Sequence, residues 1–380
     1  MDIKDLRENI DDIDKKLTAL FSERMDVAAK IAAYKRENGL PVLDPVRERE
    51  KLSEIGNMTP EELRDYSELL YSLIFELSRD YQTRILGNGT ELTARIEGAI
   101  ENTPKLFPEQ AFVACQGVAG SNSQFACDRL FRRASIMYFS SFEAVFRAIE
   151  KGLCKYGVIP VENSTAGSVN SVYDLMMSHK FSIVRSVRVK IEHYLLANDG
   201  TKLEDVKEIY SHEQAISQCS DFLGELKDVK IIPCENTAVA AKMVAESGRK
   251  DIAALASRQC MGFYGLASLK DSVQNTENNY TRFICISKDL EIYPGADRTS
   301  VMLTLPHVPG SLYKLLSRFY ALGVNINKLE SRPLPGKEFE FMFYFDFDTP
   351  VYSPRLLRLL GALPGLCEQF SYLGSYSEVI

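Results

Sequence analysis

The sequence lacks the features that mark exported, metal-binding and membrane proteins. Its eight cysteines are scattered and none forms a C-x-x-C pair, which favours reduced thiols over disulfides or zinc. The first twenty residues carry many charges and no apolar segment like that of a secretory signal. No apolar run approaches the roughly 20 residues needed to span a bilayer. We therefore expect a cytoplasmic protein that does not enter a membrane.

Sequence motifs for nucleotide and metal cofactors are also missing. The segment GNGTEL, from Gly87, lacks the third glycine of a dinucleotide-binding loop, and no P-loop occurs. The segment HEQAI, from His212, lacks the second histidine of the H-E-x-x-H zinc motif. A net charge of −7 argues against a general nucleic-acid-binding protein. We expect no cofactor, metal or nucleic acid.

The texture of the sequence changes along its 380 residues, which are too many for one ordinary core. We predict an all-helical domain over 1–88, a linker with one turn of helix over 89–109, an α/β domain over 110–288 and a small domain over 298–380. The α/β region divides into two lobes near Val189, and a cleft between lobes is the default ligand site. The last region has the ferredoxin-like order βαββαβ.

A long apolar stripe runs along the first predicted helix. It follows i, i+3, i+4 spacing and includes Leu6, Ile10, Ile13, Leu17, Leu20, Phe21, Val27, Ile31 and Tyr34. Gly39 and Pro41 end the helix, so it spans roughly 35 residues and 50 Å. A domain of this length cannot cover such a helix by itself. We therefore expect a partner chain, in a homodimer or tetramer.

Two more helices are predicted in this region. Asp44 and Pro45 have the character of an N-cap and first helical position. The segment TPEE, from Thr59, has the pattern of a capping box that opens a third helix. That helix is expected to end near Gly87 and Gly89.

Polar residues recur along these helices at spacings that bring some of them together. Arg24 and Lys35 are eleven residues apart, which places them within about 20° of each other on one helix. Arg7 lies roughly 100° round the same helix, so we expect it to reach the site of a partner chain. The other helices carry Asp44, Arg47, Glu48, Ser78 and Gln82. Spacing alone also fits a solvated charged face, with Asp44 only a helix cap.

The segment LRENIDDIDKKLTALFSERMDVAAKIAAYKRENGLPVLDPVREREKL resembles the all-helical chorismate mutases, and the resemblance extends over residues 1–86. In that family the matching positions form the active site. The resemblance implies that Arg7 and Arg24 clamp the two carboxylates of chorismate, with Arg47 assisting. Chorismate rearranges to prephenate without acid, base or covalent intermediate, so the enzyme acts by positioning and charge stabilisation.

The same resemblance assigns the remaining helical residues. Lys35 and Gln82 are expected to donate hydrogen bonds to the ether oxygen of the substrate. Glu48 is expected to accept from the substrate hydroxyl. Asp44 and Ser78 complete the set.

The α/β region resembles the prephenate dehydratases. The resemblance is carried by SFEAVFRAIEKGLCKYGVIPVENSTAGSVNSVYDLM from Ser141, SHEQAISQC from Ser211, NTAVAAKMVA from Asn236 and NNYTRF from Asn278. That family folds as two α/β lobes around the substrate, like a periplasmic binding protein. It converts prephenate to phenylpyruvate, carbon dioxide and water, and a general acid would assist the departure of hydroxide.

The resemblance places Thr281 as the donor to the leaving hydroxyl and Arg282 close enough to attract the substrate anion. The expected substrate-binding and supporting residues are Asn163, Ser164, Thr165, Ser168 and Thr237. The glycine loop of the first lobe departs from the family pattern: Ser121 and Ser123 keep their hydroxyls, but Asn122 replaces an aromatic residue. His212 is expected in the cleft wall or in a structural role.

The C-terminal region resembles the amino-acid-binding regulatory domains attached to prephenate dehydratases. The segment LPHVPGSLYKLLSRFYALGVNINKLESRP carries this resemblance. A helix that begins at Gly310 could hold an amino acid carboxylate on its free N–H groups. The expected effector-binding residues are Pro309, Gly310, Ser311, Leu312, Glu330, Ser331 and Arg332, and phenylalanine is the expected effector.

The leading hypothesis is therefore a bifunctional enzyme of phenylalanine biosynthesis, inhibited by its end product. One alternative keeps the dehydratase chemistry but uses arogenate as the substrate. A second alternative is a non-catalytic sensor that binds an amino acid.

Overall fold

The computed structural model describes residues 2–85 and 91–380. The chain divides into two compact units, Met1–Ala94 and Arg95–Ile380. Within the described residues, no helix has the length and apolar character required to cross a membrane.

The first unit is helical, as predicted. Its helices are α1 (Ile3–Glu37), α2 (Pro45–Met58) and α3 (Arg64–Ile85). Helix α1 ends just before Gly39, whose φ of 64° suits a residue without a side chain. The expected end of α3 at Gly87 and Gly89 lies outside the described residues.

The segment between α2 and α3 corrects one prediction. Thr59 does not cap α3, because its hydroxyl donates to the Ile55 carbonyl at 2.8 Å and so closes α2. A 3₁₀ turn, Glu61–Leu63, separates it from the start of α3 at Arg64. The TPEE pattern correctly indicated a boundary between two helices, but Thr59 contacts the helix before it and not the helix after it.

Most of the apolar stripe of α1 is exposed in the single chain. Ala28 and Ala32 are buried against α3, while Leu17, Leu20 and Tyr34 are each more than half exposed. Isolated exposed apolar residues are ordinary, but a contiguous stripe of them marks a contact surface.

The predicted linker over 89–109 is wrong for most of its length. Residues Glu91–Asn102 form a three-turn helix, α4, in which Ile96 is fully buried. Leu92, Ile96 and Ile100 share one face at i, i+4 spacing, a signal obscured by the flanking Gly, Asn and Pro residues. Phe107 then packs on Phe131, with ring centroids 5.0 Å apart. From Arg95 onward the segment is therefore part of the packed second unit.

The α/β region alternates strands and helices. Its strands, in chain order, are β1 (Gln110–Gln116), β2 (Arg133–Phe139), β3 (Tyr156–Asn163), β4 (Gly167–Ser168), β5 (Ser182–Lys190), β6 (Tyr194–Ala197), β7 (Glu208–Ser211), β8 (Lys230–Pro233), β9 (Ile252–Ala256), β10 (Ala267–Lys270) and β11 (Tyr280–Ser287). Its helices are α5 (Asn122–Leu130), α6 (Phe142–Glu150), α7 (Asn170–Ser178), α8 (Glu213–Gln218), α9 (Ser220–Glu225), α10 (Thr237–Ser247) and α11 (Gln259–Tyr264).

These elements form the two predicted lobes. The sheet of the first lobe has the order β5, β11, β3, β1, β2, with β4 paired to β3. The sheet of the second has the order β10, β6, β9, β7, β8. The chain leaves the first lobe after Lys190, one residue beyond the predicted Val189, and returns to it at Tyr280.

The C-terminal region has the predicted βαββαβ order. Its elements are β12 (Arg298–Thr304), α12 (Ser311–Ala321), β13 (Ile326–Pro333), β14 (Phe341–Asp348), α13 (Pro354–Ala362) and β15 (Gln369–Tyr376), followed by β16 (Glu378–Val379). The antiparallel sheet has the order β13, β14, β12, β15, and β16 pairs with β5 of the first lobe.

The C-terminal sheet and the first lobe share one buried core. Tyr344 of β14 belongs to the same apolar cluster as Tyr173 of α7, and their ring centroids are 5.0 Å apart. Gly374 meets the backbone of Ile183 so closely that a Cβ atom would lie 2.2 Å from its carbonyl oxygen. This close approach explains the glycine at position 374 and fixes β15 against β5.

Candidate active sites

Helices α1 and α3 meet at Arg24. Its guanidinium donates to the Ser78 hydroxyl at 2.5 Å and lies 5.4 Å from the centre of the Phe75 ring. Ser78 is buried, and its own hydrogen goes to the Ile74 carbonyl at 2.8 Å. The structure thus brings together two predicted site residues from different helices.

Helices α2 and α3 meet at a charged pair that the sequence analysis did not find. The guanidinium of Arg79 donates to the Glu48 carboxylate, and the two side chains are only 21% and 28% exposed. The sequence gives one sign of this pair, because Arg79 directly follows the predicted site residue Ser78 on α3. Glu48 therefore already has a cationic partner.

Lys35 and Gln82 are less exposed than a solvated charged face would place them. Half-buried Lys35 donates from Nζ to the Val42 carbonyl at 2.6 Å, which ties the end of α1 to the segment before α2. Gln82 is buried one turn beyond Ser78, and its Oε1 atom has no hydrogen-bond partner among the described residues. Because an unpaired buried acceptor is costly, this amide is suited to a ligand.

The other three predicted mutase residues lie at the surface. Arg7 is exposed on α1, and Arg47 is exposed with its guanidinium 3.7 Å from the Glu50 carboxylate. Asp44 caps α2 by accepting from the Arg47 backbone N–H at 3.0 Å. For Asp44 the structure shows the capping role, and the catalytic role of all three stays a prediction.

A cavity of about 480 Å³ lies between the two α/β lobes. It is lined by the loop before α5, the β3–β4 hairpin, β11 and the first turns of α8 and α10. The predicted site residues that line it are Ser121, Ser123, Asn163, Ser168, Thr237 and Thr281. Asn122, the departure from the family's glycine loop, also faces it.

Thr281 lies at the wall of this cavity with a defined hydroxyl orientation. It pairs with Asn163 across β11 and β3, and the Asn163 amide donates to Thr281 Oγ1 at 2.9 Å. Asn163 is itself fixed, because its oxygen accepts from the backbone N–H groups of Thr165 and Ala166. Among the described residues, no acceptor takes the Thr281 hydroxyl hydrogen. That hydrogen is available to a ligand in the cavity.

Helix N-termini, and not cationic side chains, are what the cavity offers a carboxylate, and one acid, Glu235, also lies in its described wall. Its lining, all within the described chain, includes no arginine or lysine. Helices α5, α6, α7 and α10 instead begin at the cavity, with Asn122, Phe142, Val169 and Thr237 in its wall. Helix N-termini present free N–H groups and partial positive charge, which together bind carboxylates.

Arg282 does not line this cavity, although it was predicted to lie close enough to attract the substrate anion. Successive residues of a strand point to opposite faces, so Thr281 faces the cavity and Arg282 faces away. The buried Arg282 guanidinium donates to Asp346 of β14, which also accepts from the Ser300 hydroxyl. The pKa of Arg282 is raised by Asp346 although burial opposes the shift. Its role is to join β11 to the C-terminal sheet.

Ser164 and Thr165 do not line the cavity, so their contacts fit a supporting role and not direct substrate binding. The Ser164 hydroxyl donates to the Asn278 carbonyl at 3.0 Å and holds the two loops together. Thr165 donates to Asn163 Oδ1 at 2.8 Å, so it supports Asn163 from behind. The polarity of this loop serves its own folding as much as the cavity.

Two histidines line the cavity, and only His212 was predicted. His212 caps α8 by accepting from the Gln214 N–H at 3.2 Å, which agrees with a structural role. His193 is buried and hydrogen-bonded through Nε2 to Gln218 at 2.9 Å. Burial lowers its pKa, while the bond to Gln218 opposes the shift, and the imidazole is kept neutral. No motif marked His193 in the sequence.

The predicted effector residues divide into two groups. Gly310, with φ of 83°, is exposed with Pro309 at the start of α12, and Ser311 and Leu312 follow it. Glu330 and Arg332 face the first lobe instead: Glu330 accepts from Ser168 at 2.5 Å, and Arg332 binds both oxygens of Asp174. Alternation along β13 leaves Ser331 on the exposed face. The effector role of these residues stays a prediction, and the contacts that the structure shows for Glu330 and Arg332 are with the first lobe.

Two segments of the chain match different family models. Residues 6–83 match type II chorismate mutase, and residues 113–291 match prephenate dehydratase. The bifunctional chorismate mutase/prephenate dehydratase of Escherichia coli K12 is 30% identical over 379 residues, covering 98% of this chain and 95% of its own. This chain belongs to the bifunctional chorismate mutase/prephenate dehydratases. The alternative of a non-catalytic sensor is set aside, because both enzymatic domains are present.

Two further similarities each cover part of this bifunctional enzyme. Arogenate dehydratase 2 of Petunia hybrida is 36% identical over 281 residues, covering 70% of this chain and 71% of its own. A prephenate dehydratase from Arthrobacter aurescens, solved in complex with L-Phe, has a TM-score of 0.63 and 27% identity, covering 70% of this chain and 90% of its own.

Proposed function

We propose that Arg24, Lys35, Glu48 and Gln82 form the mutase site, between α1, α2 and α3. Arg24 binds a substrate carboxylate in the bidentate manner of a guanidinium. Lys35 and Gln82 donate to the ether oxygen, on which negative charge builds during the rearrangement. Ser78 holds Arg24, and Arg79 holds Glu48 for the substrate hydroxyl. The burial of Gln82, with its Oε1 atom unpaired among the described residues, supports a polar ligand at this amide, and its Nε2 group is the donor in the proposal.

The mutase site is completed by a second copy of this chain. The exposed apolar stripe of α1 needs a partner to cover it, and Arg7 on the same helix then enters the partner's site. Arg47 and Asp44, at the exposed start of α2, close the site from its own chain.

In the dehydratase site, Thr281 donates its hydroxyl hydrogen to the leaving hydroxyl of prephenate. The ring carboxylate departs as carbon dioxide, its bonding electrons enter the ring, and hydroxide leaves as water with the donated proton, which solvent then returns to the Thr281 oxygen. The N-termini of α5 and α10 hold the substrate carboxylates. The observation that carries this role is the hydrogen bond from Asn163 to Thr281, since it leaves the hydroxyl as a donor toward the cavity.

The dehydratase substrate is prephenate, with arogenate as the second candidate. Arogenate carries an ammonium group where prephenate carries a keto group, so it would need a carboxylate in the cavity. Glu235 is an acid in the cavity wall and gives arogenate a specific point of support. A comparison of kcat/KM for the two substrates, in the wild type and in Glu235→Gln, decides between them. A preference for arogenate that Glu235→Gln removes would favour the second candidate.

Phenylalanine inhibits the enzyme by binding to the C-terminal regulatory domain, of the ACT type. The N–H groups at the start of α12, beyond Gly310, receive its carboxylate. The relative crystallised with L-Phe supports this ligand. Binding inhibits only by favouring a less active arrangement of the chain.

One assay tests the proposal as a whole. The purified chain receives chorismate without added cofactor, and prephenate and phenylpyruvate are followed with and without phenylalanine. The proposal predicts both products in succession and slower phenylpyruvate formation with phenylalanine. If titration calorimetry detects no phenylalanine binding, the regulatory part is wrong.

A further inference from the structure

The β3–β4 hairpin of the dehydratase cavity is held from behind by the C-terminal sheet. Lys328 of β13 donates from Nζ to Glu162 at 2.8 Å and to Ser168 at 2.7 Å. Glu330, two residues further on the same face of β13, accepts from Ser168 at 2.5 Å. Ser168 also lines the cavity. A cavity residue therefore has two hydrogen-bond partners outside the two lobes.

The positions of these contacts connect them to Thr281. In the hairpin, Glu162 pairs with Ser168 and Asn163 pairs with Gly167. Lys328 binds Glu162 and Ser168, so it closes the hairpin at the pair next to Asn163. Asn163 in turn donates to Thr281 Oγ1.

The hydroxyl of Ser168 has only one hydrogen to donate. In this structure Glu330 accepts that hydrogen, while Lys328 donates to the same oxygen. The position of the Ser168 hydroxyl therefore depends on both residues of β13. The Lys328 side chain is 14% exposed and is shared between the carboxylates of Glu162 and Glu330. Without its charge these two carboxylates would repel each other.

We infer that Lys328 and Glu330 are positioning residues of the dehydratase reaction: they fix the β3–β4 hairpin so that Asn163 orients Thr281. The inference rests on the proposed role of Thr281 and on the proposed effector site. It also links the role of Thr281 to the effector site, because β13 then transmits a displacement of the C-terminal sheet to the cavity. An effector that moves β13 changes the support of Ser168 without touching the substrate.

The test replaces Lys328 with methionine in the full-length chain. We call the contacts of Lys328 with Glu162 and Ser168 the clamp. Their loss lowers the dehydratase kcat by roughly 10- to 100-fold, the range for misplaced catalytic groups, with a smaller change in KM. Mutase activity stays at the wild-type value, and the melting temperature is measured to separate this loss of kcat from unfolding. Phenylalanine still binds in calorimetry but inhibits less, and Lys328→Arg restores part of the kcat.

The matched control is Asp174→Asn, which removes the other ion pair of β13. Asp174 binds Arg332 on the same face of the strand but does not contact the hairpin. It keeps the wild-type kcat and inhibition if the clamp is specific. An equal loss in Asp174→Asn would overturn the inference, because docking of the strand alone would then explain the result.

Further outcomes separate the inference from the proposed function. A dehydratase kcat within twofold of wild type in Lys328→Met, with normal inhibition, contradicts the inference alone. If Lys328→Met melts early, Glu330→Gln, which keeps the side-chain volume, is judged by the same criteria. Retained activity in Thr281→Val, or no phenylalanine binding to the wild type, would instead refute the proposed function.

Discussion

The two active sites of this enzyme receive related dianions in different physical environments. The proposed mutase site relies on formal charges, Arg24 and Lys35, on helices that leave much of their surface uncovered. The dehydratase cavity has no arginine or lysine in its described lining and is faced by helix N-termini and by hydroxyl and amide groups, with one acid, Glu235, in its wall. A rearrangement without proton transfer needs only binding and charge stabilisation, whereas dehydration needs a donor of defined orientation. Each site therefore has the groups that its reaction requires.

The largest expected effect separates the two sites at Thr281. Thr281→Val keeps the shape of the side chain but removes the hydroxyl, so dehydratase kcat falls about 10²- to 10⁴-fold, the usual contribution of a general acid. Prephenate accumulates because the mutase is unaffected. Thr281→Ser, the matched control, retains the hydroxyl and most of the activity. Phenylpyruvate formation by Thr281→Val at the wild-type rate would exclude Thr281 as the donor.

The complementary change is Lys35→Ala in the mutase site. Loss of one preorganised donor to the ether oxygen lowers mutase kcat by on the order of 10²–10³, while added prephenate is still dehydrated normally. Lys30→Ala, an exposed lysine on the same helix, controls for the change in charge. Near-normal mutase turnover in Lys35→Ala would remove Lys35 from the mechanism.

Ionic strength sharpens the comparison without a mutation. Salt screens formal charges over a Debye length of about 10 Å at 0.1 M and about 3 Å at 1 M. We expect KM for chorismate to rise several-fold between these concentrations, on the order of 3- to 10-fold. KM for prephenate should change less, because N–H groups at short range hold its carboxylates. An equal rise of both KM values would contradict the idea that charged side chains bind chorismate while helix N-termini bind prephenate.

A smaller effect concerns the stability of the mutase unit. Asp44→Ala removes the cap of α2 and lowers the unfolding free energy by about 1 kcal/mol, the typical value for an N-cap. Asp44→Asn keeps an acceptor and loses less. Denaturant unfolding of both variants measures the difference, and mutase assays of the same samples reveal whether Asp44 also acts in catalysis. An unchanged unfolding midpoint in Asp44→Ala would show that the cap contributes nothing.

The smallest expected effect is the pH dependence contributed by His193. Burial lowers its folded pKa below the ordinary value of about 6.5. Below that pH the unfolded chain takes up a proton that the folded chain does not, so stability falls as pH decreases and levels off below the folded pKa. His193→Gln should show a shallower loss between pH 7.5 and 5.5 in denaturant unfolding. An identical slope in wild type and variant would contradict the neutral buried imidazole.

The sequence predicted the elements whose patterns are long and regular. The stripe of α1 runs from Leu6 to Tyr34, which is about eight turns, and the βαββαβ order of the last region has clear strand and helix periods, so both were predicted correctly. The α4 helix was missed because its short Leu92, Ile96, Ile100 repeat is flanked by loop-forming residues. Local pattern is a weak guide where tertiary packing decides the structure.

Within the sites, the sequence predicted which residues are present better than the direction in which each side chain points. Thr281 and Arg282 are adjacent in one motif, yet strand alternation sends them to opposite faces, and the partner Asp346 is 64 residues away. Glu330 and Ser331 are likewise adjacent in one motif, but strand alternation places Glu330 against the first lobe and Ser331 on the exposed face. Arg79 and His193 belong to no motif, and only the packing of neighbouring elements gives them partners. Directions of this kind depend on contacts that are distant in sequence.

The account depends on one chain that carries two separate active sites, and mixing two inactive variants tests this most directly. Lys35→Ala and Thr281→Val are each given chorismate alone and then together, and phenylpyruvate is measured. The account predicts almost none from either variant and restored formation from the mixture, because prephenate released by one is dehydrated by the other. A mixture that forms no phenylpyruvate, although each variant keeps its remaining activity, would contradict it.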